Sequence, residues 1–479
     1  MSKSKYQKYK STLTGTIIYL IGMASLVVIS SLNVYIASYI HIKQEWVTIH
    51  YGLFLQPIFI FSMAIANPIG GLIENKIGFY YALILGNIIC LIGIFGLYLT
   101  QNIWLCYFFF LIIGFSCFSL NIPLKNITFY VPEKKGFIGA VISVVLQISA
   151  SIYGFLGEFI INKEGYSLKK EDKFYPDYIA NNTSKFYYIP MICVPFFTVL
   201  SFLFIYIYDP SFENENENIP LNDGSINALT NPIISSESNI PTNNEKDEND
   251  EEKKKKEDEK YKKDIKKAIK SKQFWLLCGI AFCIGFLIRF VSITFRTFGA
   301  LIGIDGNAFK YLGFAITFST LISTPIWGCL VDKYGTKIIL KITCAGCTIL
   351  GVILYFSVNN NLFYLLCISI SMINISGFSA SINPHIMEIF TIKYTLEIGG
   401  LIGFFSGLNS IICSILSFIV SFYYTTGEEL KTPYKVIYII GTILSGIGFI
   451  LNYYESGEKF NFDDDNDKQD NEEHKIILQ

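Results

Sequence analysis

Long apolar stretches dominate this chain and constrain its fold more than any other feature. A helix of about 20 predominantly apolar residues is long enough to cross the hydrocarbon core of a bilayer. The sequence has twelve such stretches, near residues 14–40, 48–73, 79–99, 102–123, 136–161, 186–208, 273–300, 309–331, 338–357, 362–386, 398–423 and 433–453. With 52% hydrophobic residues and a mean hydropathy of +0.43, the chain is predicted to be an all-α membrane protein with twelve transmembrane helices.

Charged segments outside these stretches divide the chain into five predicted regions. They are an N-terminal tail at 1–13, a six-helix half at 14–208, a disordered charged linker at 209–272, a second six-helix half at 273–453 and an acidic tail at 454–479. The end of the linker spaces Ile265 and Ile269 among lysines, which is typical of a basic helix on an anionic leaflet or of a solvated tether. The distribution of lysines places both termini in the cytosol, and we expect the plasma membrane rather than an organelle membrane.

The two halves repeat each other in sequence. Five residues of the first half, Pro68, Ile69, Gly71, Lys76 and Gly78, recur with one fixed offset as Pro325, Ile326, Gly328, Lys333 and Gly335. The pair Gly136 and Gly139, which opens the fifth stretch, is matched by Gly400 and Gly403 at the start of the eleventh. Such repeats predict two homologous halves with a binding cavity between them near the bilayer midplane.

The only two arginines of the chain, Arg289 and Arg296, lie seven residues apart in or at the edge of the seventh stretch. Seven residues are about two helical turns, so both side chains share one face. A cation within a membrane span costs at least about 2.5 to 3.5 kcal/mol, so it usually faces a partner, a cavity or a permeant anion. Arg289 therefore predicts a substrate or gating contact, or alternatively a structural pair with Glu158 or snorkelling to the outer headgroups. Arg296 is expected to snorkel.

The end of the eighth stretch carries a loop signature. The run Gly328, Cys329, Leu330, Val331, Asp332, Lys333, Tyr334, Gly335, Thr336 and Lys337 resembles the signature between helices eight and nine of the major facilitator superfamily. The first-half copy consists of Gly71, Asn75, Lys76 and Gly78, with Asn75 in the place of the acid. The resemblance implies a cytosolic charge clamp that helps to hold one access state, and a first-half clamp that is weaker or uses the neighbouring Glu74.

A finer resemblance points to one branch of that superfamily. Residues 129–136 are similar to the approach to helix five in monocarboxylate and oxalate/formate transporters, and residues 273–277 and 388–400 resemble the matching parts of helices seven and eleven. Two features depart from that branch. Thr324 lies where those families often carry an arginine, and the uncharged stretch 398–423 lacks the lysine of oxalate/formate exchangers. If the substrate is an anion, Arg289 must supply the countercharge.

Further candidate residues lie on the helices that line the cavity in proteins this chain resembles. The candidate substrate contacts are Arg289, Asn33, Tyr35, Asn121, Ser292, Asn374 and Ser376, with Gln147, Thr317 and Asn409 as weaker candidates. Each neutral side chain alternatively only hydrogen-bonds between helices, which contributes about 0.6 kcal/mol on average. Glu158 is the candidate proton carrier, because burial near a hydrophobic rim would favour its protonated form. The alternative is a position at the outer surface beside Lys163. His385 is expected to be packed rather than to relay protons.

The leading hypothesis is a secondary transporter of a small organic anion, such as a monocarboxylate, that works by alternating access with proton coupling or exchange. The sequence has no GxxxxGK[ST] loop and no hydrolase or transferase constellation, so neither a primary pump nor an enzyme is predicted. Cys344 and Cys347 form a CxxC without partner ligands, so no metal or cofactor is predicted. The expected partners are a small-molecule substrate and the lipid bilayer, not nucleic acid, and the protein is expected to be monomeric. The alternatives are a carrier of a neutral solute (an amino acid, a sugar or a drug-like compound) and a non-transporting receptor or scaffold.

Overall fold

The computed structural model describes residues 3–164, 166, 174–208, 259–301, 306–357, 360–423 and 427–462. All regular secondary structure in these ranges is helical. Most of the predicted linker and of the predicted acidic tail lies outside the described residues, and so does the side chain of Arg296.

Twelve long helices, α1 to α12, follow one another in the predicted order. The first half consists of α1 (Lys3–Ser31, continued by Asn33–His41), α2 (Leu55–Ile77), α3 (Phe79–Leu99), α4 (Ile103–Ser116, continued by Cys117–Leu120 and Asn121–Tyr130), α5 (Lys135–Ile161) and α6 (Tyr188–Phe202). The second half consists of α7 (Lys272–Leu301), α8 (Gly306–Tyr334), α9 (Thr336–Ser357), α10 (Asn361–Phe390), α11 (Thr395–Tyr423) and α12 (Gly427–Tyr454). Within the described residues, 11 helices are long and apolar enough to cross a membrane, and α8 completes the series with 29 residues. The predicted fold class is confirmed.

Single glycines of the sequence repeat make two sharp turns between helices. Gly78 separates α2 from α3 with a φ of 89°, and Gly335 separates α8 from α9 with a φ of 87°. Side chains with a Cβ rarely adopt this left-handed backbone conformation, whereas glycine does so readily. These two residues recur because each half needs a one-residue turn between its second and third helices.

Both of these turns lie at one end of the helical bundle, which we call the signature end. The start of α1 is also there, because the hydroxyl of Thr12 accepts a hydrogen bond from the backbone N–H of Tyr206, just after α6. The segment after α12 reaches the same end, where Gly457 lies against the side chain of Lys337 at the start of α9. The first and last described segments therefore lie at the same end of the bundle.

Apolar side chains form the interior of each half and also cover its outer surface. The interior has one apolar cluster in the first half and two in the second. On α3, Ile88, Ile92, Phe95 and Leu99 are each at least half exposed, and their spacing places them on one helix face. Such a stripe is unfavourable in water but suits the hydrocarbon of a bilayer.

The end of the linker differs from its prediction. Residues 259–270 form a helix, which we call the linker helix, and its Ile265 and Ile269 pack against an apolar cluster of the second half. Asp264 and Ala268 on the same face are buried. Protein, rather than a lipid leaflet, therefore covers the apolar face of this helix. Residues 455–462, predicted to belong to a polar tail, also pack here through Phe460 and Phe462.

Candidate functional site

Two regions of contact, which we call seams, join the halves at the signature end. In the first seam α11 packs on α2, and in the second seam α8 packs on α5. A Cβ on Gly400 would overlap the backbone nitrogen of Pro68 and lie 2.5 Å from its Cδ. A Cβ on Gly136 would lie 2.9 Å from the carbonyl oxygen of Gly328. Both contacts involve backbone, so the helices can approach this closely only because these positions are glycine.

The second glycine of each repeated pair has a different environment. A Cβ on Gly139 or on Gly403 would meet no atom within 4 Å in the described structure. The pairs are alike in sequence, but only the first glycine of each pair lies between the halves. This difference supplies matched controls for any test of the seams.

Asp332, the acid of the loop signature, holds the second seam together. Its two carboxylate oxygens accept hydrogen bonds from the backbone N–H groups of Gly136 and Phe137, each at 2.9 Å. These groups belong to the first turn of α5, where N–H groups lack helical partners and the helix dipole favours an anion. An acid of the second half therefore caps a helix of the first half.

A chain of polar side chains crosses the same seam. Lys135 at the start of α5 pairs with Glu388 of α10 at 2.9 Å. The other carboxylate oxygen of Glu388 accepts a hydrogen bond from Thr336, whose hydroxyl also lies 2.9 Å from Nδ1 of His385. Nε2 of His385 lies 3.0 Å from Glu455, and both of these side chains are buried. His385 is thus packed, as expected, but within a polar chain that the sequence did not reveal.

The buried carboxyl group of Glu455 gives a prediction about pH. Burial disfavours its charged form, but hydrogen bonds to His385 and to the backbone N–H of Gly457 outweigh burial and lower the pKa of Glu455 below its ordinary value of 4.5. A lowered carboxyl pKa stabilises the folded state above the unfolded pKa, and this contribution is lost as the pH falls through the folded pKa. We expect Glu455→Gln to cost about 2 kcal/mol at pH 7, and we expect its further loss of stability in acid to be shallower than that of the wild type.

Thermal unfolding of the purified protein in detergent, followed from pH 7 to well below 4.5, measures both effects. The matched control is Glu458→Gln, because Glu458 is exposed three residues further on. Its melting curve should follow the wild type at every pH. Equal acid sensitivity of Glu455→Gln and the wild type would contradict the prediction.

The first seam uses its charges in a different way. Asn75 stands where the second copy of the signature has an acid, and the neighbouring Glu74 pairs with Lys125 at 3.0 Å inside the first half. The acidic side chain that lies between the halves at this seam belongs to the second half. Glu397, in the first turn of α11, is buried against Gly71 of α2, where an added Cβ would overlap its Oε1 atom. The carboxylate of Glu397, in the second half, therefore contacts the first half directly.

Tyr261 of the linker helix completes this arrangement. Its hydroxyl donates a hydrogen bond of 2.5 Å to Oε1 of Glu397, the carboxylate that lies against Gly71. Burial, and then the charge of Glu397, raise the pKa of Tyr261 far above its usual range. The phenol therefore keeps its proton at neutral pH and connects the linker helix with the carboxylate that lies between the halves.

Arg289 lies in the membrane-embedded part of α7. Its side chain is partly buried, and its Nε atom is fully buried without a hydrogen-bond partner in the described residues. On α11, the thiol of Cys413 donates a hydrogen bond to the carbonyl oxygen of Phe286, three residues before Arg289. Glu158, the alternative structural partner, is exposed near the end of α5 and forms no ion pair within the described ranges. The arginine thus has an unused donor inside the membrane span.

Asn409, on the face of α11 that meets α7, also has unused hydrogen-bonding capacity. The amide nitrogen of Asn409 donates to the carbonyl oxygen of Phe282 at 2.7 Å, but its oxygen is buried and has no partner among the described residues. The hydroxyl of the neighbouring Ser410 is also buried without a hydrogen-bond partner among the described residues. Asn409 was only a weaker candidate from sequence, because a lone amide in an apolar stretch does not show which helix it faces. Among the described residues, Arg289, Asn409 and Ser410 are the best candidates for a binding site.

Three predicted substrate contacts of the first half have neighbours within that half. Tyr35 stacks on Tyr175 with ring centroids 4.4 Å apart. The amide of Asn121 donates to the side chain of Asn67 at 3.1 Å. Asn33 is partly buried and begins the second segment of α1. The structure does not bring these residues together with Arg289.

The three neutral candidates of the second half are also hydrogen-bonded within their half. Ser292 donates to a carbonyl oxygen of its own helix at 2.8 Å. Asn374 donates to the sulfur atom of Cys347 at 3.0 Å and so joins α10 to α9. The hydroxyl groups of Ser376 and Ser323 lie 2.7 Å apart and join α10 to α8. The contacts of Asn374 and Ser376 correspond to the alternative role of hydrogen bonding between helices, whereas the contact of Ser292 stays within one helix.

The lysines of the loop signature do not share one environment. Lys76 and Lys333 are exposed, and the ammonium group of Lys333 lies 5.1 Å from the ring centroid of Tyr334. Lys337 lies near Glu455 and helps to stabilise its charge. The clamp at the second seam therefore depends on Asp332 and on a helix N-terminus rather than on a row of lysines.

Metal-binding chemistry has no visible basis in the described ranges. They contain no group of three or more His, Cys, Asp or Glu side chains placed to hold a metal ion. All eleven cysteines are free thiols, and Cys344 and Cys347 are buried in α9.

Comparison with known proteins identifies the family. The pattern of the Major Facilitator Superfamily matches residues 12–391 and 277–469, which cover most of the chain. The chain belongs to the major facilitator superfamily. It is accordingly a transporter rather than an enzyme. No curated protein matches it in sequence.

Solved structures of this superfamily share the fold at low identity. The proton:xylose symporter XylE, bound to 6-bromo-6-deoxy-D-glucose, is 12% identical with a TM-score of 0.60, over 94% of this chain and 95% of the other. The transporter FucP in its outward conformation is 13% identical with a TM-score of 0.62, over 93% and 99%. A second structure of FucP, the E. coli fucose:proton symporter, is 14% identical with a TM-score of 0.61, over 93% and 98%. These likenesses support the twelve-helix architecture in two halves.

Proposed function

We propose that this major facilitator protein carries a small organic anion, such as a monocarboxylate, by alternating access with proton coupling or exchange. The observation that carries the proposal is the buried Nε of Arg289, which has no hydrogen-bond partner in the described residues. At 1.5 Å per residue, Arg289 lies about 25 Å along α7 from its start at Lys272. A guanidinium group at that depth is costly unless an anion or a cavity faces it.

The chemistry of the neighbouring groups fits a carboxylate substrate. Guanidinium binds carboxylate through two parallel hydrogen bonds, a geometry that Lys cannot reproduce. The unpaired oxygen of Asn409 and the hydroxyl of Ser410 could accept hydrogen bonds from a hydroxyl or a protonated group on the same substrate. This set of polar groups supports a substrate like those of the monocarboxylate and oxalate/formate transporters that the sequence resembles.

The coupling step and the orientation remain part of the proposal. Glu158 is exposed at the end of α5, so the expected burial of this carboxyl group was wrong and the alternative surface position is the one found. We keep Glu158 as the candidate proton carrier, because at this position it would exchange protons with the solvent on that side. We place the signature end in the cytosol, because the lysines of the N-terminal tail and of the linker helix gather there. We also propose a monomer in the plasma membrane.

A neutral sugar is the second candidate substrate. XylE and FucP, two solved structures with the same fold, are described as proton symporters of xylose and of fucose. Neutral groups such as Asn409 and Ser410 suit sugar hydroxyls as well as they suit an acid. The two candidates differ in their need for Arg289.

Replacing Arg289 by Gln is expected to abolish the stabilisation of the protein by carboxylates. A ligand that binds only the folded state stabilises it by about 2.7 kcal/mol at a concentration of 100 times its Kd. We expect pyruvate, lactate or formate to raise the melting temperature of the wild type and to leave Arg289→Gln unchanged. Arg289→Lys should retain only a small part of the shift, because the bidentate geometry is lost.

The same melting experiment with xylose, fucose and a neutral amino acid separates the candidates. Equal stabilisation of the wild type and Arg289→Gln by a neutral solute, with no response to carboxylates, would contradict the anion proposal and favour the second candidate. Each variant is first compared with the wild type without ligand, so that a folding defect is recognised.

A further inference from the structure

The linker helix makes a contact that is directed at the first seam. Glu397 of α11 is 2% exposed and lies directly against Gly71 of the first half. Its Oε1 atom accepts the hydrogen bond from Tyr261, whereas its Oε2 atom is buried without a partner in the described residues. The seam thus buries a carboxylate that has one strong donor.

Other contacts hold Tyr261 in this position. Asp264, on the same face of the linker helix, accepts a hydrogen bond of 2.5 Å from the hydroxyl of Tyr394. The rings of Tyr261 and Tyr394 lie 5.1 Å apart, and Lys267 donates to the carbonyl oxygen of Phe462 at 3.3 Å. These contacts are all with the second half or with the segment after α12. The linker helix is therefore attached firmly enough to position one phenol at the boundary between the halves.

The energetic role of this phenol depends on the state of the seam. When the halves separate at the signature end, Glu397 loses its contact with Gly71 and can be hydrated. When they close, the carboxylate must leave water, which is unfavourable unless a hydrogen-bond donor replaces the lost water. Tyr261 is that donor. The first seam needs it because Asn75 replaces the acid that caps a helix across the second seam.

We propose that the linker helix is a latch of the first seam, in which Tyr261 bonded to Glu397 favours the state that is closed at the signature end. Tyr261 and Glu397 are thus gating residues that are separate from the candidate substrate site. The proposal does not depend on which substrate is carried, since it concerns only the balance between two access states. It assigns a role in the transport cycle to a segment predicted to be disordered.

The test measures the distance between the signature ends by spin labels in the full-length protein. Cysteines replace Lys76 at the end of α2 and Lys459 after α12, both of which are exposed. The background carries Cys329→Ser, because Cys329 is the one exposed cysteine among the eleven. We expect Tyr261→Phe, which keeps the ring and removes the hydroxyl, to raise the ratio of separated to closed populations about tenfold.

A matched control comes from the opposite end of the molecule. Tyr178→Phe removes a hydroxyl that donates to Glu164 at 3.3 Å, far from the seams, and should leave the distances unchanged. In a Glu397→Gln background, Tyr261→Phe should have a clearly smaller effect, because an unpaired neutral amide costs less to bury than an unpaired carboxylate. Asp264→Asn weakens the hydrogen bond between Tyr394 and the linker helix. This substitution should therefore raise the ratio of separated to closed populations, as Tyr261→Phe does.

Two results would overturn the latch. One is a distance distribution that Tyr261→Phe and Asp264→Asn both leave unchanged. The other is an effect of Tyr261→Phe that persists in full in the Glu397→Gln background, since the phenol would then act through packing rather than through the carboxylate.

Discussion

Alanine at Gly136 or at Gly400 is expected to drive the signature ends of the two halves apart. A methyl group at Gly400 would overlap the backbone of Pro68, and one at Gly136 would lie 2.9 Å from the carbonyl oxygen of Gly328. Backbone atoms of a packed helix cannot move aside as a flexible side chain can. Overpacking of this kind costs roughly 1 to 3 kcal/mol, which corresponds to an approximately 5- to 150-fold shift away from the closed state.

Gly139 and Gly403 provide the controls, because they lie one turn along the same helices and have no atom within 4 Å of an added Cβ in the described structure. Alanine there should leave the closed state intact, and its higher helix propensity should raise stability slightly. Spin labels at positions 76 and 459 report the populations. Equal behaviour of all four alanine variants would mean that the seams do not form as described.

Asn in place of Asp332 is expected to release the start of α5 from the second half. The substitution keeps the shape of the side chain but removes its charge and places an amide NH₂ near a backbone N–H donor. Asp332 is exposed, so we discount its interaction with the helix end to about 1.5 kcal/mol. This loss corresponds to a roughly tenfold larger population in which the hydrogen bonds at Gly136 and Phe137 are open.

Hydrogen–deuterium exchange resolves this effect, because the two affected amides lie in one peptide at the start of α5. Exchange there should rise in Asp332→Asn and stay unchanged at the start of α11, which the first seam holds by other contacts. Glu133→Gln removes an exposed acid just before α5 and serves as the control. Wild-type protection of that peptide in Asp332→Asn would show that the carboxylate does not hold the seam.

The order of the helices was predictable because hydropathy and the internal repeat report on it directly. The repeat also contained the glycines at which the halves approach each other, but it could not separate Gly136 from Gly139 or Gly400 from Gly403. Two glycines one helical turn apart differ in whether they face the other half or open space. The sequence does not reveal how each helix is rotated about its own axis. The same ambiguity affects Tyr35, since a polar residue in a span shows no sign of the neighbour that it contacts.

The first seam was the hardest part to predict. The sequence showed that Asn75 interrupts the signature and suggested Glu74 as a substitute, yet Glu74 pairs with Lys125 in its own half. The acid is Glu397, more than 300 residues further along the chain, and its donor is Tyr261 in a segment whose composition is that of a disordered linker. Neither residue belongs to a motif, so only the packed structure brings them together.

Uptake into proteoliposomes tests the proposed function most directly. Labelled pyruvate, lactate and formate are offered with and without an acidic exterior, alongside xylose and a neutral amino acid, to vesicles that contain the wild type or Arg289→Gln. We expect saturable uptake of a carboxylate that is lost in Arg289→Gln. Uptake of a neutral solute that is insensitive to this substitution, without uptake of any carboxylate, would contradict it.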